Sequence, residues 1–382
     1  MTLYIQNGTI YTPNLPEPVS ADLVIENGKI IEIGQKLSVS GKHSETLNAE
    51  GMRIYPGFID AHSHLGVFGH GIGFEGDDSN ELNDILTPHL RAIDSINPMD
   101  ESFLAARRGG VTLVGTGPGS ANALGGTFTA IKTIGKRVDE MIVRDPVAMK
   151  CAFGENPKRV YKDKSVRARM TTAARIREAL FKAKEYLARK ESAAEDMSKL
   201  PPYDIKHEAL IPVLKRQIPL KAHAHQANDL FTALRIAREF DLDITLEHVT
   251  EGHLIAQELA RENVMLAVGP TLTWASKFEL RNKSWETPAV LVAAGCHVSI
   301  ITDCPVIQQE YLPLCAALAI KAGLSEWEAL KAITLHPAEH LGIAQRVGSI
   351  EIGKDADLVL TDDSPFELAT KIHAVFIDGK SV

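Results

Sequence analysis

No stretch of this 382-residue chain is apolar over the roughly 18 residues that a membrane-spanning helix requires, so no bilayer span is expected. The first residues, Met-Thr-Leu-Tyr-Ile-Gln-Asn-Gly, lack a basic segment followed by an apolar run, and a secretory signal is therefore not expected. Cysteine is scarce. Cys151, Cys296, Cys304 and Cys315 form no CxxC pair, which excludes a disulfide framework and points to free thiols in a reducing compartment; the cytoplasm is the expected location. Positive charge is short as well: 41 Lys and Arg against 49 Asp and Glu leave a net charge of −8, which argues against a nucleic-acid partner. There is no low-complexity tract and no short repeat. What is present is a globular composition, 45% hydrophobic and 24% charged, long enough for one large α/β barrel and a small accessory domain.

Both ends of the chain carry short strand patterns broken by turn signals. Leu3 to Gly8 and Asp22 to Gly34 contain two Asn-Gly pairs of the kind that close hairpins. Gly348 to Leu360 and Ile372 to Gly379 have the same character. A discontinuous β-sandwich domain from residues 1–54 plus 346–382 is expected, enclosing a barrel over 55–345. In that central part apolar strands alternate with helical stretches, as a (β/α)8 barrel requires. Candidate strands are Gly57–His62, Val111–Gly115, Ala148–Ala152, Leu220–His223, Ile244–His248, Val264–Val268 and Val298–Thr302, with a further one near Thr129–Ile134. Ala173, Ile176, Leu180, Ala183 and Leu187 recur at helical spacing and predict a helix packed on the barrel. Residues 190–206, charged and carrying Pro201-Pro202, read as an exposed connector.

The most informative residues are His62 and His64, at the end of Tyr55-Pro-Gly-Phe-Ile-Asp-Ala-His-Ser-His-Leu-Gly-Val67. Histidines at i and i+2 of a strand project from one side, and two neutral imidazoles on a rigid edge make half of a zinc site. Other polar groups fall at later strand ends: Lys150 in Val147-Ala-Met-Lys-Cys-Ala-Phe-Gly154, then Lys221-Ala-His-Ala-His-Gln226, Thr245-Leu-Glu-His-Val-Thr250 and Ile300-Ile-Thr-Asp-Cys-Pro305. In a barrel of this kind reactive groups gather at those ends. Taken singly, His248 also reads as a core histidine and Asp303 as a helix N-cap before Pro305. Of His223 and His225, alternation sends both to the same side, so either suits a metal.

The order and placement of these motifs resemble the amidohydrolase superfamily, nearest to its imidazolonepropionase-related branch. The resemblance implies that His62 and His64 bind one metal completed by Asp303, and that His223 and His248 bind a second. It implies two zinc ions per chain and a CO2-derived carbamate on Lys150 bridging them. The chemistry is coherent, since a desolvated lysine beside cations has a lowered pKa and its free amine traps CO2. The competing reading is a lysine reaching toward solvent or paired with Glu155; Lys158, in a loop-like run, suits substrate better than metal. His225, Gln226, Arg159 and Tyr161 are expected to touch substrate or support the ligands.

In deaminase-like and imidazolonepropionase-like relatives a glutamate follows the fifth-strand histidine by three residues and shuttles protons. Here that position is Gln226, an amide that does not titrate. The implied function is therefore hydrolysis of an amide-type C–N bond by a metal-bound hydroxide, with Asp303 as proton carrier. The implied substrates are small cyclic amides, N-acyl amino acids or dipeptides. The alternatives are a mononuclear deaminase of an aromatic base and a non-enzymatic scaffold of the same fold. The glycine-rich run Gly115–Gly126 does not follow GxGxxG and reads as a pocket wall, and the acidic run Phe74–Asp84 as a loop wall or a solvated loop. His336 and His340 lie in a segment that the resemblance makes structural. No nucleic-acid or membrane partner is expected; a homo-oligomer is left open.

Overall fold

A computed structural model describes residues 2–37, 44–71, 73–193 and 196–382. The chain opens with β1 (Thr2–Ile10), β2 (Val19–Glu26), β3 (Lys29–Gly34), β4 (Ser44–Asn48) and β5 (Arg53–Pro56). It continues through β6 (Phe58–Ser63), β7 (Val111–Thr116), β8 (Leu124–Lys132) and β9 (Ile142–Ala152). Next come β10 (Leu220–Ala224), β11 (Ile244–His248), β12 (Met265–Val268) and β13 (Val298–Ile300). It closes with β14 (Leu358–Thr361), β15 (Ile372–Ile377) and β16 (Lys380–Ser381).

These strands form two sheets, each of eight strands. The terminal sheet has the order β16-β15-β14-β5-β1-β2-β3, with β4 also paired to β1, so both ends of the chain share one ladder. Alternating residues of β1, β2 and β14 (Leu3, Ile5, Leu23, Ile25, Leu358 and Leu360) bury their side chains together with Phe376. The two Asn-Gly pairs part company here. Asn27-Gly28, both at positive φ, closes the β2–β3 hairpin as its sequence predicts. Asn7-Gly8 closes no hairpin: Asn7 turns left-handed inside β1 and shifts its register against β2. A Cβ at Gly8 would stand 2.3 Å from Ile54 Cδ1, so a larger residue there would displace the buried Ile54 side chain.

The central sheet runs β6 through β13 in sequence order and bends into a nearly closed barrel. Its end strands meet through Asp60, whose Oδ2 accepts from Thr302 N at 3.0 Å and Thr302 Oγ1 at 2.6 Å, while His64 N donates to Cys304 O at 2.8 Å. The barrel corrects the expected all-parallel (β/α)8 in one place. β8 lies antiparallel to both β7 and β9. The link from β7 to β8, residues 117–123, is too short for the dozen or so residues of a crossover helix, so the chain turns straight back.

Helices cover the outside of the other strands. The longest, Arg169–Ala193, buries Ala173, Ile176, Leu180 and Ala183 against the barrel. Burial of side chains such as Ile176 and Leu180 contributes roughly 1.5–3 kcal/mol each. The helix extends beyond its apolar stripe, so Lys190–Ala193 of the expected connector is helical; residues 194 and 195 of that connector lie outside the described residues. Cys151, Cys296, Cys304 and Cys315 are free, and no described helix is long and apolar enough to cross a membrane.

Candidate active site

Strand pairing sets the floor of the site. In the parallel ladder Lys150 lies opposite Lys221, and Lys221 opposite Thr245. Two residues nearer the mouth, His223 lies opposite Glu247 and Glu247 opposite Ala267. Paired residues of a parallel sheet face the same side, so these side chains stack in layers inside the barrel. His62 descends into the same space from β6, with its ring 5.0 Å from that of His248. Two clusters of donors result: His62, His64 and Asp303 on one side, and His223, His225 and His248 on the other. The ring centroids of His223 and His248 are 4.2 Å apart, and those of His225 and His248 are 4.7 Å apart.

Two of these residues reach the centre through unusual backbone. Strict alternation along β11 would turn His248 away from the barrel, because Glu247 already points in. His248 has φ +75° and Val249 φ +47°, and this left-handed step swings the imidazole back over the mouth. Asp303 has φ +54°. Non-glycine residues in this region cost of order 1–3 kcal/mol each, a strain that clusters at functional sites.

All five imidazoles are held the same way. The Nδ1 of His64 donates to Gly117 O at 2.7 Å, and that of His248 to Gly269 O at 2.8 Å. His62 Nδ1 donates to the Glu247 carboxylate at 2.9 Å. His223 Nδ1 meets Ser120 Oγ at 2.8 Å, and His225 Nδ1 meets Thr250 Oγ1 at 2.7 Å. Each ring therefore turns Nε2 toward the cavity, as metal-binding histidines do when an outer partner fixes the tautomer. The glycine-rich loop between β7 and β8 supplies two of those partners, Gly117 and Ser120.

Burial keeps the rings of His62, His223, His225 and His248 neutral. Burial pushes the His248 imidazole down to about 4. Burial also holds His62, His223 and His225 well below the ordinary range, helped at His62 by the ammonium of Lys150 and at His223 by His248. Burial alone would raise Asp303, but His248, His64 and His62 outweigh it and keep the carboxylate ionised. His248 Nε2 and Asp303 Oδ1 are buried without a hydrogen-bond partner, although the latter lies 3.2 Å from His64 Nε2. Neutral imidazoles, an ionised carboxylate and orphaned buried atoms form a donor set that fits divalent cations. Lys150 Nζ sits between the clusters, fully buried, 3.0 Å from His62 Nε2, and burial lowers it to about 8.

Three expectations for residues around the centre change. Tyr161 is buried, and its hydroxyl donates toward the carbonyls of Glu81 and Asp84 at 2.6 and 2.9 Å while Asn122 Nδ2 donates to it at 3.0 Å. It pins the acidic loop and has no free hydroxyl for substrate. Gln226, the residue before the helix Ala227–Phe240, accepts through Oε1 from Arg169, the first residue of the helix Arg169–Ala193, so it ties the strand-to-helix turn instead of contacting substrate. Arg159 is exposed on the short helix Glu155–Val160, which also carries Lys158. His225, by contrast, stands among the cavity imidazoles.

Sequence reasoning missed Glu247, Lys221, Lys277 and Glu279. Glu247, fully buried, takes Lys221 Nζ at 2.9 Å and His340 Nε2 at 2.9 Å besides His62, and Thr245 Oγ1 donates to it at 2.6 Å. His340 thus belongs to the layer beneath the site, whereas His336 Nδ1 donates to Val298 O at 3.0 Å on the outside. The signal was available: a glutamate and a lysine inside strands of a barrel must find each other. Glu279 and Lys277 lie in a loop whose sequence has no periodicity, and nothing there foretold their inward turn.

Comparison with known proteins agrees with this geometry. The amidohydrolase family model matches residues 53–382. An amidohydrolase, tasK, of Hapsidospora irregularis is 31% identical over 388 residues, covering 94% of this chain; the chain spans 39% of that relative's length. An imidazolonepropionase of Symbiobacterium thermophilum is 25% identical, covering 88% of this chain and 83% of its own. The crystal structure of an amidohydrolase from Thermotoga maritima superposes with a TM-score of 0.96 at 40% identity, over 100% of this chain and 99% of that one. The chain belongs to the amidohydrolase family.

Proposed function

We propose that this protein hydrolyses an amide-type C–N bond in a small substrate such as a cyclic amide, an N-acyl amino acid or a dipeptide. One observation carries the reading: five buried imidazoles, each tied through Nδ1, turn Nε2 toward a single cavity that also holds an ionised aspartate. His62, His64 and Asp303 would hold one divalent cation, and His223 and His248 a second, with zinc the expected metal and Lys150, as its carbamate, between them. Bound there, such cations supply Lewis-acid polarisation of a carbonyl and a lowered pKa for water. The protein's own residues do the rest. Asp303, kept ionised by its histidines, takes a proton at the carboxylate oxygen that the cation leaves free and returns it to the leaving nitrogen. Glu247 fixes the His62 tautomer, and Ser120, Gly117, Thr250 and Gly269 orient the other rings. Lys150, lowered to about 8, has roughly a tenth of its amine free near pH 7, the form that reacts with CO2. The terminal strands, with their separate apolar core, would form a β-sandwich domain from residues 1–54 plus 346–382 beside a barrel of 55–345.

The test joins metal analysis to a hydrolysis screen over lactams, N-acyl amino acids and dipeptides. The expected result is two cations per chain, an amine product, and one cation in Lys150→Ala. Unchanged stoichiometry in that variant removes the carbamate. Ammonia release from aromatic bases with one cation per chain replaces the reading by a deaminase, and absence of bound metal removes it altogether.

A further inference from the structure

The loop after β12 carries a cation to the edge of the donor clusters. Lys277 Nζ lies 2.6 Å from Glu279 Oε1 and donates to Asn156 Oδ1 at 3.2 Å, and its side chain is 17% exposed. Both partners also face the second histidine cluster: Glu279 Oε1 is 3.6 Å from His225 Nε2, and Asn156 Nδ2 is 3.5 Å from His223 Nε2. The arrangement is built from below. Glu279 is fully buried, and its Oε2 accepts from Glu155 N at 2.8 Å. Gly154, at φ +81°, leaves room for it, since a Cβ there would stand 2.5 Å from Glu279 Oε2. An ammonium has three donors. Asn156 accepts from one of Lys277's, Glu279 balances its charge as an ion pair, and no other protein acceptor is found for it among the described residues.

We propose that Lys277, held in place by Glu279 and Asn156, is the subsite for a carboxylate of the substrate. The inference rests on the hydrolase reading and narrows it to acids whose carboxylate lies close to the scissile amide. In an N-acyl amino acid only the nitrogen and Cα separate the two groups, which matches a cation placed directly beside the imidazole cluster. A cyclic amide without a carboxylate leaves a donor of Lys277 unused. On the same loop Trp274 and Phe278 are 82% and 61% exposed, the latter with the Arg281 guanidinium over its ring. An analogue of an aromatic N-acyl amino acid is the probe.

Calorimetry with N-methanesulfonyl-L-phenylalanine and its carboxamide, in which a hydrolysis-resistant sulfonamide replaces the acyl amide, on the metal-loaded protein tests this without turnover. The acid is expected to bind about tenfold or more tighter than the amide, the preference to vanish in Lys277→Met, and to return in Lys277→Arg. Equal affinity of acid and amide in the wild type overturns the subsite, as does an unchanged preference in Lys277→Met or failure of the acid to bind. Loss of the preference in both variants also overturns it, because a second cation at this position should restore it. Absence of C–N hydrolysis or of bound metal overturns the hydrolase reading instead, and the binding comparison still decides the subsite.

Discussion

Lys132 and Lys150 are both buried lysines on neighbouring strands of the barrel, β8 and β9, and their surroundings are opposite. Lys132 stands at the seam with the terminal sheet, with carboxylates of Asp357, Asp355 and Asp378 at 2.5, 3.1 and 3.2 Å. Burial would lower it, but these aspartates outweigh burial and raise it. Asp355 is completed in turn by Arg346 at 2.8 Å and by Lys29. Lys150 has a neutral imidazole as its nearest partner, and no carboxylate pairs with it among the described residues. Its pKa falls accordingly. A buried charge whose partners are complete holds structure together. One whose partners are missing, among atoms that lack partners themselves, is prepared for something that enters from outside.

The comparison can be broken at either end. Asp303→Asn has the largest expected effect: hydrolysis by the loaded protein falls roughly 10²–10⁴-fold, with thermal unfolding little changed, as kcat and calorimetry will report. A loss below tenfold would mean that another group moves the proton. Lys132→Met should do the reverse. It leaves Asp357 buried without its cation, Asp355 keeping Arg346 and Lys29, and costs about 3–5 kcal/mol in denaturant unfolding, while cation content per folded chain stays at the wild-type value. A small destabilisation there would show that the seam tolerates unpaired charge and would erase the contrast.

The smallest effect concerns pH. His248 titrates near 4 when folded, against an ordinary imidazole at 6.5. The unfolded chain therefore binds this proton first as pH falls. The metal-free protein keeps its full stability above about 6.5 and loses up to about 3 kcal/mol from this group by pH 4. The depressed His62, His223 and His225 act in the same direction. Melting temperatures of the metal-free protein from pH 7.5 to 4.5 will check it; a flat profile would mean that the imidazoles are not held neutral by burial.

Legibility in the sequence followed the range of the forces involved. His62 and His64 were readable because strand alternation is local: two residues apart on one strand face one way whatever surrounds them. The same rule misleads at Glu247 and His248, where both side chains face the centre because left-handed backbone at His248 breaks the alternation. Tyr161 and Gln226 looked like pocket residues from their positions after strands. The Tyr161 hydroxyl and the Gln226 Oε1 are taken by Glu81, Asp84 and Arg169, partners between 57 and 80 residues away that no local pattern reveals. The reversal of β8 was foreshadowed only by the shortness of its connection.

By itself the sequence determined the alternation of strands and helices, the placing of histidines, Lys150 and Asp303 at strand ends, and the hairpin at Asn27-Gly28, because each depends on residues within a few positions of one another. Only the tertiary structure decided which of those groups meet, that Glu247 underlies His62, and that Lys277 turns inward. Those outcomes depend on barrel register and on which buried polar atoms find partners, and both are properties of residues brought together from distant parts of the chain.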